Sequence, residues 1–316
     1  MPSLKKTIIC IGGPTASGKS HLALSLASHI KGELINADSM QIYKGLPILS
    51  AQPSLTEQQT IPHHLYAHVS SQATYNTAQW VQDVTHVVET LPVHQTPLIV
   101  GGTGLYFKAL QDGLSAVPPT PDAMRQQVRT LIQQEELDAA YQQLCTLAPE
   151  TKTLLHPNDR QRITRALEVV IATGTPLYEW QKKSSGQGER YHSLTILLMP
   201  PRDKLLERIE KRIHTMIATG AIDEVENLLS TSIPISPTME KTLGFLEIKA
   251  YLEKSLSKEK MIVQLTIKTR QYAKRQMTWF RNQWQPTITY THFGDEITPS
   301  ILQKDLTPHL KYDVWR

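Results

Sequence analysis

Cysteine is scarce in this sequence: its 316 residues include only Cys10 and Cys145. Two cysteines in apolar surroundings exclude a disulfide framework and a zinc site built from thiolates, so we expect buried thiols in a reducing, cytoplasmic compartment. No apolar run reaches the roughly 18 to 20 residues that a bilayer-spanning helix needs. The apolar stretch at residues 8–12 is too short for the core of a signal peptide and is better read as a first strand.

Negative charge is missing from residues 260–294, which contain no Asp or Glu. The basic residues in this window are Lys260, Lys268, Arg270, Lys274, Arg275 and Arg281. Such a stretch is a candidate contact surface for a polyanion, although a solvated helix face has the same composition. On a helical wheel Arg270, Lys274 and Arg281 cluster, which favours the polyanion interpretation. We expect the apolar and aromatic residues Leu265, Tyr272, Met277 and Phe280 of this stretch to be buried.

What the first hundred residues do contain is an alternation of short β-type runs and helical patterns, typical of βαβ units around a parallel sheet. Apolar runs predict strands at residues 7–11, 34–37, 97–100 and 194–199. Helical spacing predicts helices at 19–30 and 76–91, the second with Asn76 as its N-cap. A proline cluster at 118–121 marks a boundary, and residues 121–180 are helical in pattern.

These patterns predict a two-part organisation. Residues 1–117 and 190–316 would form the catalytic core with C-terminal basic helices, and residues 118–189 an inserted helical lobe. The polar stretch 182–189 would close the lobe, and the chain after the fourth strand would be helical to about residue 284.

A phosphate-binding loop follows the first predicted strand and opens the first predicted helix, which is the context that the pattern G-x-x-x-x-G-K-[ST] requires. Glycines let successive N–H groups point at phosphate oxygens, aided by the positive helix N-terminus. The lysine adds a point charge and the serine offers a hydroxyl to Mg²⁺. The residues of the loop are Gly13, Pro14, Thr15, Ala16, Ser17, Gly18, Lys19 and Ser20. The fold class predicted is therefore α/β, a P-loop NTPase-like parallel sheet flanked by helices.

A nucleotide kinase or NTPase would be the default for such a loop, but these proteins usually carry an Asp at another strand end to hold Mg²⁺. Here the strand at 97–100 ends in Gly101-Gly102-Thr103-Gly104, without a carboxylate. The strand-end acid is Asp38, for which a turn or N-cap role is the alternative from local sequence. Because parallel-sheet sites form at the carboxyl ends of strands, Asp38 and Thr103 should both face the phosphate loop.

Several blocks together resemble the tRNA dimethylallyltransferases, also called tRNA isopentenyltransferases, of the IPP transferase family. The blocks occur in the family's order and cover residues 8 to 284. The phosphate loop alone would not identify the family. They are residues 13–20, Asn-Ala-Asp-Ser-Met-Gln-Ile-Tyr-Lys-Gly at 36–45, Gly-Gly-Thr-Gly-Leu-Tyr at 101–106, His-Pro-Asn-Asp at 156–159, Gln-Arg-Ile-Thr-Arg-Ala-Leu-Glu at 161–168, Arg-Ile-Glu-Lys-Arg at 208–212 and Thr-Arg-Gln-Tyr-Ala-Lys-Arg-Gln at 269–276.

This resemblance implies transfer of a dimethylallyl group from dimethylallyl diphosphate to N6 of the adenosine at tRNA position 37, in tRNAs that read codons beginning with U. It implies Mg²⁺, held with the help of Ser20, as cofactor. The partners expected are tRNA, through its anticodon stem-loop, and the donor; no membrane contact is expected, and the protein would be a monomer.

The resemblance also implies roles for individual residues. Asp38 would be the base that takes the N6 proton, and Thr103 would hold the reacting groups. Arg212 would neutralise the diphosphate, with Arg208 as a second candidate for that role. Residues expected to contact tRNA are Asp38, Ser39, Met40, Gln41, Thr103, Arg125, Gln161, Arg162, Ile163, Thr164, Arg165, Arg270, Lys274, Arg275 and Arg281.

Two segments depart from the family's pattern. Residues 47–53, Pro-Ile-Leu-Ser-Ala-Gln-Pro, lack the acid and the lysine of the usual Asp-Ile-Gly-Thr-Ala-Lys-Pro, and Phe245 follows Gly244 where a tyrosine is common. A kinase, a prenyltransferase acting on free AMP or ATP, and a non-catalytic RNA-binding module remain as alternatives. The missing strand-end carboxylate argues against the first, the helical lobe and basic helix against the second, and the phosphate loop against the third.

Overall fold

A computed structural model describes residues 5–134, 137–182, 190–231, 233–310 and 315. The chain divides into two compact units, a larger one from Met1–Gln111 and Glu189–Arg316 and a smaller one from Asp112–Gly188. Of the polar stretch expected at residues 182–189, all but Lys182 lies outside the described residues.

A parallel sheet forms the centre of the larger unit. Its strands are β1 Thr7–Gly12, β2 Gly32–Asn36, β3 His63–His64, β4 Thr96–Gly101, β5 His192–Leu198 and β6 Ile288–Tyr290, in the order β3-β2-β4-β1-β5-β6. All neighbours pair in parallel. Strands β1, β2 and β4 are buried along almost their whole length because helices cover both faces of the sheet. The four predicted strands are confirmed; β3 and β6 were missed because two or three residues carry no readable alternation.

The helices pack around this sheet and in the smaller unit. In chain order they are α1 Lys19–Ile30, α2 Pro47–Ser50, α3 Leu55–Thr60, α4 Thr77–Thr90, α5 Gly104–Asp112, α6 Asp122–Gln134, α7 Leu137–Leu147, α8 Thr151–Leu154, α9 Arg160–Thr173, α10 Leu177–Lys182, α11 Arg202–Ala218, α12 Ala221–Ser230, α13 Phe245–Leu252, α14 Lys258–Gln283 and α15 Pro299–Leu306. The predicted N-cap of α4 is confirmed: the Asn76 side chain accepts hydrogen bonds from the N–H groups of Ala78 and Gln79. Within the described chain, no helix is long and apolar enough to cross a membrane.

Two apolar layers cover the sheet. On one face, α1 and α15 contribute Leu22, Leu26 and Leu302 to a cluster with the strands. On the other face, α4 and α5 pack with the end of α14, where Phe107, Phe280 and Trp284 are in mutual ring contact. Trp284 is thereby buried in the core of the larger unit. Both cysteines are free and buried, as expected.

The smaller unit consists of helices α6 to α10 wherever it is described, with no strand in that part. Helices α6, α7 and α9 share one apolar core, which includes Val128, Leu144 and Leu167. Helix α9 begins at an N-cap, Asp159, whose carboxylate accepts a hydrogen bond from the N–H of Arg162. The amphipathic helical pattern predicted for residues 121–180 therefore forms a helical unit with its own core.

Candidate active site

The phosphate loop connects β1 to α1 at the carboxyl edge of the sheet. Its backbone reaches the left-handed region at Ala16 (φ 63°) and Gly18 (φ 86°), which turns the chain sharply into the helix. The first N–H groups of α1 have no partner within the helix, so they can bind an anion. The Lys19 ammonium donates to the carbonyl of Pro14 at 2.7 Å, which folds the lysine back over the loop.

Two amides of the loop already have partners inside the protein. The N–H of Ser17 donates to Pro14 O at 3.3 Å, and the N–H of Thr15 donates to the side-chain oxygen of Gln276 at 2.8 Å. The amide nitrogen of Gln276 donates in turn to Gly102 O at 2.9 Å. Buried Gln276 therefore ties the phosphate loop to the loop after β4. The sequence pattern could not reveal this role, because Gln276 stands in the basic helix α14, far from both loops in sequence.

The ends of β2 and β4 are brought together by a glycine. A Cβ atom at Gly101 would lie 2.0 Å from the carbonyl oxygen of Ala37, so only glycine permits this approach. The Thr103 hydroxyl then accepts a hydrogen bond from the N–H of Ser39 at 3.0 Å and donates to the Ser39 hydroxyl at 3.3 Å. Thr103 thus anchors the loop that begins at Asp38.

Asp38 occupies the first position of a tight turn. Its Oδ1 atom accepts a hydrogen bond from the N–H of Met40 at 3.0 Å, and its carbonyl accepts one from Asn36 at 3.0 Å. The turn role considered from the sequence is therefore real, but it engages only one carboxylate oxygen. The side chain remains partly exposed and lines the same cavity as the phosphate loop.

This cavity has a volume of about 680 Å³ and lies entirely within the larger unit. It brings together Lys19 and Ser20 from the phosphate loop, Asp38 from the end of β2, and Arg212 from α11. Its apolar and aromatic lining includes Met40, Leu49, Tyr66, Leu243 and Tyr272. The cavity therefore combines a cationic end for an anionic head group with walls that suit an alkyl chain or a planar ring.

The cations of the cavity are desolvated. Burial and the neighbouring Arg212 lower the pKa of Lys19 to about 8, against the opposing effect of the Asp38 carboxylate. Burial likewise lowers the pKa of the Arg212 guanidinium, again opposed by Asp38. Arg212 also donates to the Thr15 hydroxyl at 3.2 Å. Two positive charges held close together without full solvation will bind a polyanion strongly.

Arg208, one turn before Arg212, has a different environment. Its guanidinium forms a bidentate pair with Asp295 at 2.6 and 3.0 Å and stacks over the Phe293 ring at 3.6 Å. Glu296 lies 3.8 Å away. Arg208 borders the cavity but is paired with these acids, so in this structure its charge is compensated by the segment after β6.

The divergent segment at residues 47–53 contains helix α2, which forms part of the cavity wall. The Glu224 carboxylate accepts hydrogen bonds from the N–H groups of Ile48 and Leu49 at 2.7 and 2.9 Å. At the other end of α2, the Gln41 amide donates to the carbonyls of Ser50 and Ala51 at 3.1 and 2.7 Å. Gln41, expected to read a base, therefore uses its NH₂ group to hold this wall, while still lining the cavity.

The basic residues of α14 fall into two groups. Lys268 pairs with Glu247, and Arg270 pairs with Glu210 at 2.8 Å. Lys274, Arg275 and Arg281 are exposed and form no ion pair within the described chain. The second group is the one whose charges remain available to a polyanion.

In the smaller unit, the residues expected to contact tRNA lie on α6 and α9. Gln161 and Arg162 are exposed, and Arg125, Thr164 and Arg165 are partly exposed. Ile163 differs: its side chain is fully buried in the apolar core. The expectation that the Ile163 side chain contacts tRNA does not fit this structure, because helical periodicity turns one residue in this run toward the core.

For a divalent cation, the cavity offers the Ser20 hydroxyl and the Asp38 carboxylate. In the described residues there is no group of three or more His, Cys, Asp or Glu side chains that could hold a metal. Mg²⁺ is usually bound through one or two protein oxygens together with substrate phosphates and water. The donor set therefore fits Mg²⁺ carried with a diphosphate.

Comparisons with known proteins point to one family. Residues 41–283 match the family described as IPP transferase. A tRNA dimethylallyltransferase from Azorhizobium caulinodans is 43% identical over 283 residues, which is 89% of this chain and 91% of the relative. One from Rhizobium etli is 44% identical, covering 88% of this chain and 95% of the relative.

Two solved structures are also similar. The full-length tRNA isopentenylpyrophosphate transferase from Bacillus halodurans has a TM-score of 0.66 and 29% identity, with 96% of this chain and 95% of that chain covered. A eukaryotic dimethylallyltransferase acting on tRNA has a TM-score of 0.74 and 29% identity, with 87% and 70% covered. On the family match and on relatives of this identity over most of its length, the chain belongs to the IPP transferase family.

Proposed function

We propose that this protein is a tRNA dimethylallyltransferase, which transfers the dimethylallyl group of dimethylallyl diphosphate to N6 of the adenosine at tRNA position 37. The substrates would be tRNAs that read codons beginning with U, and the products N6-(dimethylallyl)adenosine and diphosphate. The observation that carries this proposal is the single cavity shared by the phosphate loop, Arg212 and Asp38. Family membership and the named relatives give the substrate class.

Departure of diphosphate requires stabilisation of negative charge on the oxygen that bridges the donor's carbon and phosphorus atoms. The free amides at the start of α1, Lys19 and Arg212 surround the cationic end of the cavity, where desolvation strengthens their effect. Mg²⁺, held by Ser20 and the diphosphate, would add further charge neutralisation there. These groups stabilise the leaving group and leave the allylic carbon open to attack.

The adenine N6 amine is a weak nucleophile because its lone pair is delocalised into the ring. A positioned base that removes the N6 proton as the C–N bond forms contributes about 10² to 10⁴ in rate. Asp38 suits this role, since one carboxylate oxygen is fixed by Met40 while the side chain remains open to the cavity. Thr103 positions Asp38 indirectly, through the hydrogen bonds that its hydroxyl makes with Ser39.

The acceptor must be extruded from the anticodon loop to reach this cavity, since a stacked base would not present N6 to Asp38. Phosphate contacts by Lys274, Arg275 and Arg281 would supply affinity, and Arg125, Gln161, Arg162, Thr164 and Arg165 of the smaller unit would contribute further contacts. Such an enzyme would work as a cytoplasmic monomer.

A transfer assay with labelled dimethylallyl diphosphate tests the proposal. Unmodified tRNA, AMP and ATP are offered as acceptors, and label should enter tRNA alone. Asp38→Asn should lower kcat by about 10² to 10⁴ while tRNA binding is retained, because the amide cannot accept the N6 proton. Asp138→Asn, which changes an exposed acid in the smaller unit, is the matched control and should stay within about twofold of wild type. Near-normal turnover by Asp38→Asn would remove Asp38 as the base, and label in AMP or ATP would contradict the acceptor.

A further inference from the structure

Tyr66 is held between two residues with unfavourable backbone conformations. Leu65 and Ala67 both lie in the left-handed region, with φ values of 62° and 44°. This conformation is costly for residues with a Cβ atom and persists where surrounding contacts enforce it, often at functional sites. Two such residues flanking one tyrosine indicate that the fold holds that side chain in a defined position.

The contacts that enforce this conformation come from the Asp38 loop. Asn36 donates from one amide nitrogen to Leu65 O at 3.1 Å and to Asp38 O at 3.0 Å. The N–H of Ala67 donates to Gln41 O at 3.0 Å, and the His63 and Tyr66 rings are in edge-to-face contact with their centroids 5.4 Å apart. The backbone on both sides of Tyr66 is therefore hydrogen-bonded to the segment that carries the proposed base.

The side chain of Tyr66 faces the reaction cavity. It lines the cavity together with Asp38, and its hydroxyl forms no hydrogen bond with the described part of the chain. Burial, together with the Asp38 carboxylate, raises the pKa of Tyr66, so the phenol stays neutral at physiological pH. A neutral aromatic ring is thus presented beside Asp38, on the Asp38–Gln41 side of the cavity, whereas Lys19 and Ser20 stand on its phosphate-loop side.

We propose that the ring of Tyr66 is the surface on which the extruded adenine stacks, so that N6 is placed at Asp38. The proposal rests on the proposed function, since it concerns the acceptor of that reaction. Every nucleobase has a π face, and stacking on an aromatic side chain compensates an extruded base for the neighbours that it loses. Nothing in the sequence marks this tyrosine, because it lies in a loop without a motif of its own.

A binding experiment that needs no chemistry tests this role. An anticodon stem-loop RNA with 2-aminopurine at the target position is titrated with wild type, Tyr66→Phe and Tyr66→Leu, and its affinity and fluorescence are measured. Tyr66→Phe keeps the ring and should stay within about twofold of the wild-type affinity. Tyr66→Leu keeps apolar bulk but removes the π face, so the affinity should fall about tenfold and the bound 2-aminopurine should become brighter. Tyr66→Met serves in place of Tyr66→Leu if the latter misfolds.

The outcomes separate this inference from the proposed function. Equal affinity and emission for Tyr66→Leu and Tyr66→Phe would overturn the stacking role, even if wild type modifies tRNA. Unchanged RNA binding with a several-fold higher KM for dimethylallyl diphosphate would also overturn it and would assign the ring to the donor's alkyl chain. If wild type transfers no label to tRNA, the proposed function fails, while the fluorescence titration still decides whether Tyr66 stacks on a base.

Discussion

At the scale of single residues, the proposed chemistry depends on one carboxylate and two desolvated cations that line the same cavity. Lys19 and Arg212 come from α1 and α11, which are remote in sequence, and Asp38 is the acid that influences the pKa of both. Their partial burial makes each charge sensitive to what enters the cavity. A diphosphate would favour the protonated form of Lys19, so donor binding and the ionisation of this lysine are linked.

Donor binding should therefore weaken as the pH rises through about 8, the pKa of Lys19 in the free protein. Below that pH the ammonium is present before the donor arrives; above it, a proton must be taken up on binding. The Kd of dimethylallyl diphosphate, measured by calorimetry, should rise about tenfold between pH 7 and pH 9. Lys19→Arg, which stays charged, should bind with a nearly flat profile over this range. A wild-type profile as flat as that of Lys19→Arg would contradict the linkage.

At the scale of elements, the phosphate loop is supported by a segment at the far end of the chain. The N–H of Gly294 donates to Ser17 O at 3.0 Å, and Asp295 holds Arg208 of α11. A Cβ atom on Gly294 would lie 2.1 Å from Gly18 O, so the two glycines touch backbone to backbone. Gly294 and Asp295 therefore support the phosphate loop and connect it with α11; we call these contacts the brace.

Gly294→Ala should disturb this brace. The added methyl group forces the phosphate loop to shift, so the donor Kd should rise about tenfold and stability should fall by about 1 to 3 kcal/mol. The control is Gly174→Ala in the smaller unit, where an added Cβ meets no atom but the φ of 68° is unfavourable. This control should lose about 1 kcal/mol of stability and keep its donor affinity. Equal donor affinity for both variants would show that the brace has no part in donor binding.

At the scale of the whole molecule, charge is distributed unevenly along α14. Lys268 and Arg270 are neutralised by Glu247 and Glu210, whereas Lys274, Arg275 and Arg281 are exposed without an ion pair among the described residues. The absence of acids from residues 260–294 therefore suggests a larger basic surface than the structure has, because acids from α13 and α11 pair with two of the basic residues of α14. The unpaired group remains available for phosphates.

Affinity for tRNA should depend steeply on salt through the unpaired residues alone. Lys274→Gln and Arg275→Gln should each reduce the slope of log K against log salt concentration by about 1, because each removes one phosphate contact. Lys268→Gln, which already has an acidic partner, should change the slope little. Filter binding between 50 and 300 mM salt measures the slopes. If the wild-type affinity did not depend on salt, or if Lys268→Gln changed the slope as much as Lys274→Gln, this surface would have no part in tRNA binding.

The sequence by itself determined the parallel sheet, the phosphate-loop motif and the family, because these follow from local periodicity and from motifs of consecutive residues. The positions of Asp38 and Thr103 at one edge of the sheet could also be predicted from the sequence, since strand ends in a parallel sheet meet at one edge. The roles proposed for them stay predictions until variants are assayed.

Only the tertiary structure decided which residues surround those motifs. The Gln276 bridge, the Glu224 contact with α2, the pairing of Arg208 with Asp295, the burial of Ile163 and the placement of Tyr66 all join segments distant in sequence or depend on which way a side chain turns. No local pattern encodes such contacts, because they arise when packing brings remote backbone and side-chain groups within hydrogen-bonding distance.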